Sequence, residues 1–316
     1  MSSSKFDFRL NRIKYLADIA SKNFNDELDV VEYGAHTLVK LIVISSYANQ
    51  FATIAKGPKA REKGFDGAVY IDLFAGPGVV KIKETGDRVV GSPIAATWDT
   101  KFDYSVFVEI GKHSSDALES RLATYLPKDA YKVIPGDCNT KVGEIIEAIS
   151  KKCSRPIVLI CVDPEGMQPR FDMLKALNAK YNSSDFIINM TAWTDRVRSK
   201  IQAGYESDLP IFEGFFGKER AATLLELGKG VPMDTFFIDQ LAVELKKTVG
   251  EKIPVKDSDG KLVYNILAYT REKGKGSWGN ILSHIKEQLR GLDGAGAKEL
   301  LDIAKKRGGT MDSYLS

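Results

Sequence analysis

Between residues 68 and 190 the chain repeats one pattern: a short run rich in β-branched and aromatic residues, then a longer amphipathic stretch. The short runs fall at 68–74, 105–109, 131–135, 157–162 and 185–190. Helical spacing of apolar residues fills the intervals at 114–126, 142–150 and 171–181, and Ser92-Pro93 reads as an N-cap followed by proline at the first helical position. Alternation of this kind predicts a parallel sheet with crossover helices. The run 157–162 is apolar throughout, as a central strand covered on both faces should be.

The alternation stops after the fifth run. Residues 196–249 read as helical and carry Phe212, Phe215, Phe216, Phe236 and Phe237. Two further strand-like runs, 253–256 and 263–270, flank Asp257-Ser-Asp-Gly260, a hairpin turn signal. A helix is expected over 281–289. The expected organisation is a helical extension over 1–65, a Rossmann-like α/β core over 66–272 interrupted by a helical insertion at about 196–249, and a helical tail over 273–316.

Composition narrows the functional classes. A net charge of +3 on 316 residues does not make the whole molecule a magnet for nucleic acid. Cys138, Cys153 and Cys161 show no C-x-x-C pairing, and the three histidines are scattered, so no metal site is expected. Sparse, odd cysteines fit a reducing cytosol. The N-terminal residues lack the apolar stretch of a secretory signal. The apolar run 38–55 is interrupted by Lys40, Ser45, Ser46, Asn49 and Gln50 and reads as a buried helix rather than a membrane span.

The candidate chemistry lies at the ends of the strand-like runs. Asp72-Leu-Phe-Ala-Gly-Pro-Gly78 closes the first run. Its glycines let backbone approach a ligand closely, and open N–H groups favour an anionic part. The third glycine of a dinucleotide fingerprint is missing, because Lys81 stands there. The competing reading is a tight strand-to-helix turn. Glu109 ends the second run, where an acid can accept from both hydroxyls of a ribose; otherwise it is a solvated strand-end charge. Asp137, after the third run, is placed to accept from an adenine amino group with Cys138 beside it, although Gly136-Asp-Cys-Asn139 is also good turn chemistry. Asp163-Pro-Glu-Gly166 follows the central run, where open α/β sheets bind ligands, and Pro164 holds Asp163 extended. Trp193 and Trp278 are candidates to stack on a base, and Arg196, Arg198 and Lys200 to meet phosphates, against the commoner uses of packing and solvation.

Five β/α units followed by a hairpin resemble the seven-stranded sheet of class I S-adenosyl-L-methionine (SAM)-dependent methyltransferases, whose last strand runs antiparallel. D-x-F-x-G-x-G looks like their first cofactor motif, with Asp72, Phe74, Gly76, Gly78, Glu109, Asp137 and Cys138 as the cofactor-binding set. Asp163-Pro164 resembles the D-P-P-Y motif of amino-group methyltransferases, with Glu165 and Gly166 replacing the second proline and the aromatic. More specifically, the segments 40–47, 70–78, 91–93, 107–109, 136–139, 162–166 and 264–269, with Trp278, resemble the three-Cys-motif partner (TcmP) family over roughly 34–290. The resemblance implies a cytoplasmic transferase that uses SAM. The expected acceptor, a nucleic-acid base, and the catalytic position of Asp163 and Pro164 are read from the strand-end residues; the resemblance itself supplies no substrate. It also implies the alternative of a SAM-binding or non-catalytic module that partners an iron–sulfur, radical-SAM-like three-Cys-motif protein.

Overall fold

The computed structural model describes residues 3–227, 230–270 and 277–306, with backbone only at 3 and 277–279. In chain order the elements are α1 (Ser3–Asn23), β1 (Val31–Tyr33), α2 (Thr37–Ala55), α3 (Pro58–Glu62), β2 (Gly67–Asp72), β3 (Val79–Ile82), β4 (Arg88–Val90) and α4 (Ser92–Thr97). They continue with β5 (Tyr104–Glu109), α5 (Lys112–Leu122), β6 (Tyr131–Pro135), α6 (Val142–Ser150), β7 (Pro156–Val162), α7 (Phe171–Lys180) and β8 (Ser184–Thr191). The remainder is α8 (Trp193–Gln202), a short 3-10 turn, α9 (Leu209–Phe216), α10 (Lys218–Leu227), α11 (Met233–Glu244), β9 (Val249–Lys256), β10 (Leu262–Thr270), α12 (Ser277–Leu289) and α13 (Gly294–Ala304).

Seven strands form the main sheet in the order β6-β5-β2-β7-β8-β10-β9. The pairs from β6 to β8 are parallel, while β10 lies antiparallel to both β8 and β9. This is the Rossmann-like sheet of the class I methyltransferases, with the terminal hairpin inserting its second strand beside β8. An all-parallel nicotinamide-type sheet is excluded by β10.

Side-chain alternation builds two cores, one on each face. Ala68 and Tyr70 of β2, Leu159 and Cys161 of β7, and Ile266 and Ala268 of β10 face the core shared with α1, α2, α4, α12 and α13. Val69 and Ile71, Val158 and Ile160, and Phe186 and Ile188 face the core shared with α6, α7 and α9–α11. The five insertion phenylalanines are all in this second core, none more than 8% exposed. Phe215 stacks on Phe237 with centroids 5.0 Å apart. Their apolar faces are therefore covered by their own chain.

The α2 helix is long and apolar enough to cross a membrane by composition, yet 72% of its apolar window is buried within the protein. Lys40 is the single charged residue in it. All three cysteines are free and buried.

The competing strand-to-helix reading of the glycine loop does not hold, and one local reading, the Ser92 cap, is corrected. The glycine loop runs into β3, not into a helix, and the β3–β4 hairpin with parallel β1 forms a separate three-stranded sheet. Ser92 is the first residue of α4 rather than its cap: Gly91 occupies the cap, and the Ser92 hydroxyl bonds to Asp72.

Candidate functional site at the carboxyl ends of the central strands

The direction of strand order reverses at β2, whose neighbours are β5 and β7, and the crevice beyond such a reversal is where open α/β sheets take ligands. The loop after β2 is sewn to both neighbours: the Leu73 N–H donates to the Cys161 carbonyl at 3.0 Å and the Ala75 N–H to the Val108 carbonyl at 3.0 Å. Gly76 and Gly78 have φ of +60° and +84°, a conformation costly for residues with a Cβ. A Cβ on Gly78 would also come within 2.9 Å of Leu118, whereas above Gly76 nothing lies within 4 Å. Gly76 therefore presents bare backbone to open space. Gly91 closes the arrangement by donating its N–H to the Gly78 carbonyl at 2.7 Å.

Asp72 holds this loop from behind. Its side chain is fully buried, accepts from the Phe74 N–H at 3.2 Å and from the Tyr70 hydroxyl at 3.0 Å, and is bonded by Ser92. Burial pushes its carboxyl up to about 7, with the Asp163 charge adding to the shift. Asp72 braces the loop from beneath.

Glu109 reaches the loop from β5. One carboxylate oxygen accepts from the Gly76 N–H and the other from the Gly111 N–H, both at 2.7 Å. Each oxygen retains acceptor capacity. The carboxylate is thus fixed beside the glycine whose upper side is open, the geometry a diol requires.

A small pocket of about 40 Å³ lies over the loop, lined by Phe74 to Val80 and Ser92 on one side and by Val31, Tyr33, Thr37, Lys40, Leu41 and Asp163 on the other. Asp163 stands at the exit of β7, followed by the buried Pro164. One of its oxygens forms an ion pair with the Lys40 ammonium at 2.6 Å, and the other accepts from the Asn189 amide at 2.9 Å. The Lys40 ammonium lies over the Tyr33 ring at 5.5 Å and the Tyr264 ring at 5.7 Å. The Tyr33 hydroxyl donates to Glu165 at 2.7 Å. An aromatic ring that the sequence lacks after Asp163-Pro164 is brought to that loop from β1.

The structure thus gathers Phe74, Gly76, Gly78 and Asp163 around one pocket, with Asp72 beneath and Glu109 joined through Gly76. It does not bring Asp137 and Cys138 to that pocket. One Asp137 oxygen caps a turn, accepting from the Asn139 N–H at 3.0 Å and the Asn139 side chain at 2.9 Å. Cys138 is packed in the second core, and burial pushes its thiol up to about 12. Among the basic run, Arg198 is 3% exposed and bonds to the Val231 carbonyl and Asp195, so it meets no phosphate. Arg196 instead lies over the ring of Trp193 at 4.8 Å, and Trp193 is 61% exposed at the carboxyl end of β8. The Trp278 side chain lies outside the described residues.

Lys40, Tyr33 and Asn189 were not singled out as site residues from sequence. For Lys40 a signal exists: one cation in an otherwise uncharged helix that is buried against the sheet.

Compared with protein-family models and with curated protein sequences, the chain matches none. Solved structures of similar shape include a provisionally named O-methyltransferase from Klebsiella pneumoniae, 12% identical, with 84% of this chain and 90% of that one aligned at a TM-score of 0.42. A provisionally named RNA methyltransferase from Pyrococcus horikoshii is 17% identical, with 84% and 98% aligned at a TM-score of 0.38. A provisionally named caffeoyl-CoA O-methyltransferase from Staphylococcus aureus is 11% identical, with 82% and 91% aligned at a TM-score of 0.39. The strand order, rather than these distant alignments, defines the fold.

Proposed function

We propose that the chain binds SAM over the Gly76–Gly78 loop and transfers its methyl group to a nucleic-acid base. The observation that carries the reading is the Glu109 carboxylate fixed on the Gly76 N–H at 2.7 Å, beside a loop face with nothing above it. The ribose hydroxyls bond to Glu109, and the sulfonium faces the end of β7. SAM supplies an electrophilic methyl; the chain holds donor and acceptor in line, and orientation of this kind accounts for much of such a rate enhancement. The acceptor base stacks on Trp193, whose exposed ring already carries Arg196 on one side. Asp163, with both oxygens engaged, serves as an orienting group in this reading rather than as a general base.

The second reading is a SAM-binding partner module of the three-Cys-motif type. It draws on the exposed Ile211 and Val243 of the insertion, at 54% and 67%. Tritium transfer from labelled SAM into total RNA, DNA and protein separates the two. The first reading expects label in nucleic acid and loss of most of it in Trp193→Ala. SAM binding without label in any fraction, even with cell extract added, supports the second.

A further inference from the structure

Lys40 and Asp163 are the two charged side chains lining the pocket over the glycine loop. Each is only 12% exposed, and they meet at 2.6 Å. A pair this sheltered loses hydration on both partners and stabilises the fold little, so stability alone does not account for it. The ammonium is held by two ring faces as well as by the carboxylate. Beside Asp163, the Asn189 side chain is 8% exposed and its Oδ1 has no hydrogen-bond partner, while its amide nitrogen is committed to Asp163. The pocket therefore offers one cationic donor and one anionic acceptor, with a vacant neutral acceptor buried behind the carboxylate. That set is complementary to an amino-acid zwitterion.

Resting on the SAM reading above, we propose that Lys40 and Asp163 are a clamp for the methionine portion of the cofactor. Lys40 takes the α-carboxylate and Asp163, held by the Asn189 amide, takes the α-ammonium. The internal ion pair opens as the ligand's two charges replace it, so both side chains stay compensated in the free and the bound protein. Asp163 is then a positioning residue for the cofactor, and the D-P motif here reads the methyl donor rather than the acceptor.

The test is calorimetry with three probes: SAM, S-adenosylhomocysteine, and 5′-methylthioadenosine, which keeps adenosine and lacks the amino acid. Lys40→Met and Asp163→Asn should each weaken the first two by about tenfold or more, the effect of losing a hydrogen bond to a charged group. Affinity for methylthioadenosine should stay within about twofold of wild type, within the spread of such measurements. The double variant Lys40→Met/Asp163→Asn leaves no lone buried charge; it should melt near wild type and show the same selective loss. Equal weakening of all three probes, or weakening of none in a folded variant, overturns the clamp while leaving the SAM reading intact. Wild type that binds none of the three overturns the SAM reading, and the clamp with it.

Discussion

The Asp72 carboxyl is a useful residue to titrate, because its environment sets a sign that can be checked. Burial raises it from 3.8 to about 7 in the folded chain, against the pull of its bonds from Ser92, Tyr70 and the Phe74 N–H. Between those values the unfolded chain has released the proton while the native state keeps it. Native stability therefore falls as pH rises through that window and levels off above the folded value. The slope for one proton is at most about 1.4 kcal/mol per pH unit. Urea midpoints from pH 5 to 8 should show this decline in wild type and a flatter line in Asp72→Asn, which cannot ionise. Parallel lines would mean that Asp72 is already ionised in the native protein. Residue by residue, the glycine loop and Glu109 were readable because each chemical type sits at a strand end, where position and role are linked. Lys40 and Asn189 were not, because the contacts that define them join segments far apart in sequence.

Among elements, β1 and the segment before it form the wall of the pocket opposite the glycine loop, and Arg121 of α5 holds them there. Its guanidinium is 1% exposed and donates to the carbonyls of Asp29 at 2.8 Å and Pro77 at 2.6 Å, and to the Asp26 carboxylate at 2.6 and 3.1 Å. One side chain thus ties the N-terminal strap to the glycine loop. Arg121→Ala leaves those acceptors unpaired and should cost about 3 kcal/mol, the scale for breaking a buried charged pair. The expected signature is a lower urea midpoint together with new proteolytic cleavage between residues 24 and 36. A variant that keeps both the midpoint and the wild-type cleavage pattern would show that β1 pairing and the Arg88 and Ser114 bonds hold the strap without Arg121. The strap also marks the limit of sequence reading at this scale. The run 131–135 coincides with β6 and 142–150 with α6, because their periodicity spans enough residues to be distinctive. β1 and β4 have three residues each and β3 four, too short for alternation to register, so the small sheet went unseen.

At the scale of the whole molecule, the sheet divides labour between its faces and its carboxyl edge. The two faces bury the helices, and the insertion phenylalanines belong to one of these cores. The carboxyl edge carries the candidate site, because the order reversal at β2 opens a crevice there. The missing third glycine at Lys81 and the terminal hairpin both point away from a nicotinamide dinucleotide. The most direct measurement is a calorimetric titration of the full chain with SAM, repeated with NAD. The account predicts saturable binding of SAM at a single site and no heat from NAD. Saturable binding of NAD with none of SAM would contradict it.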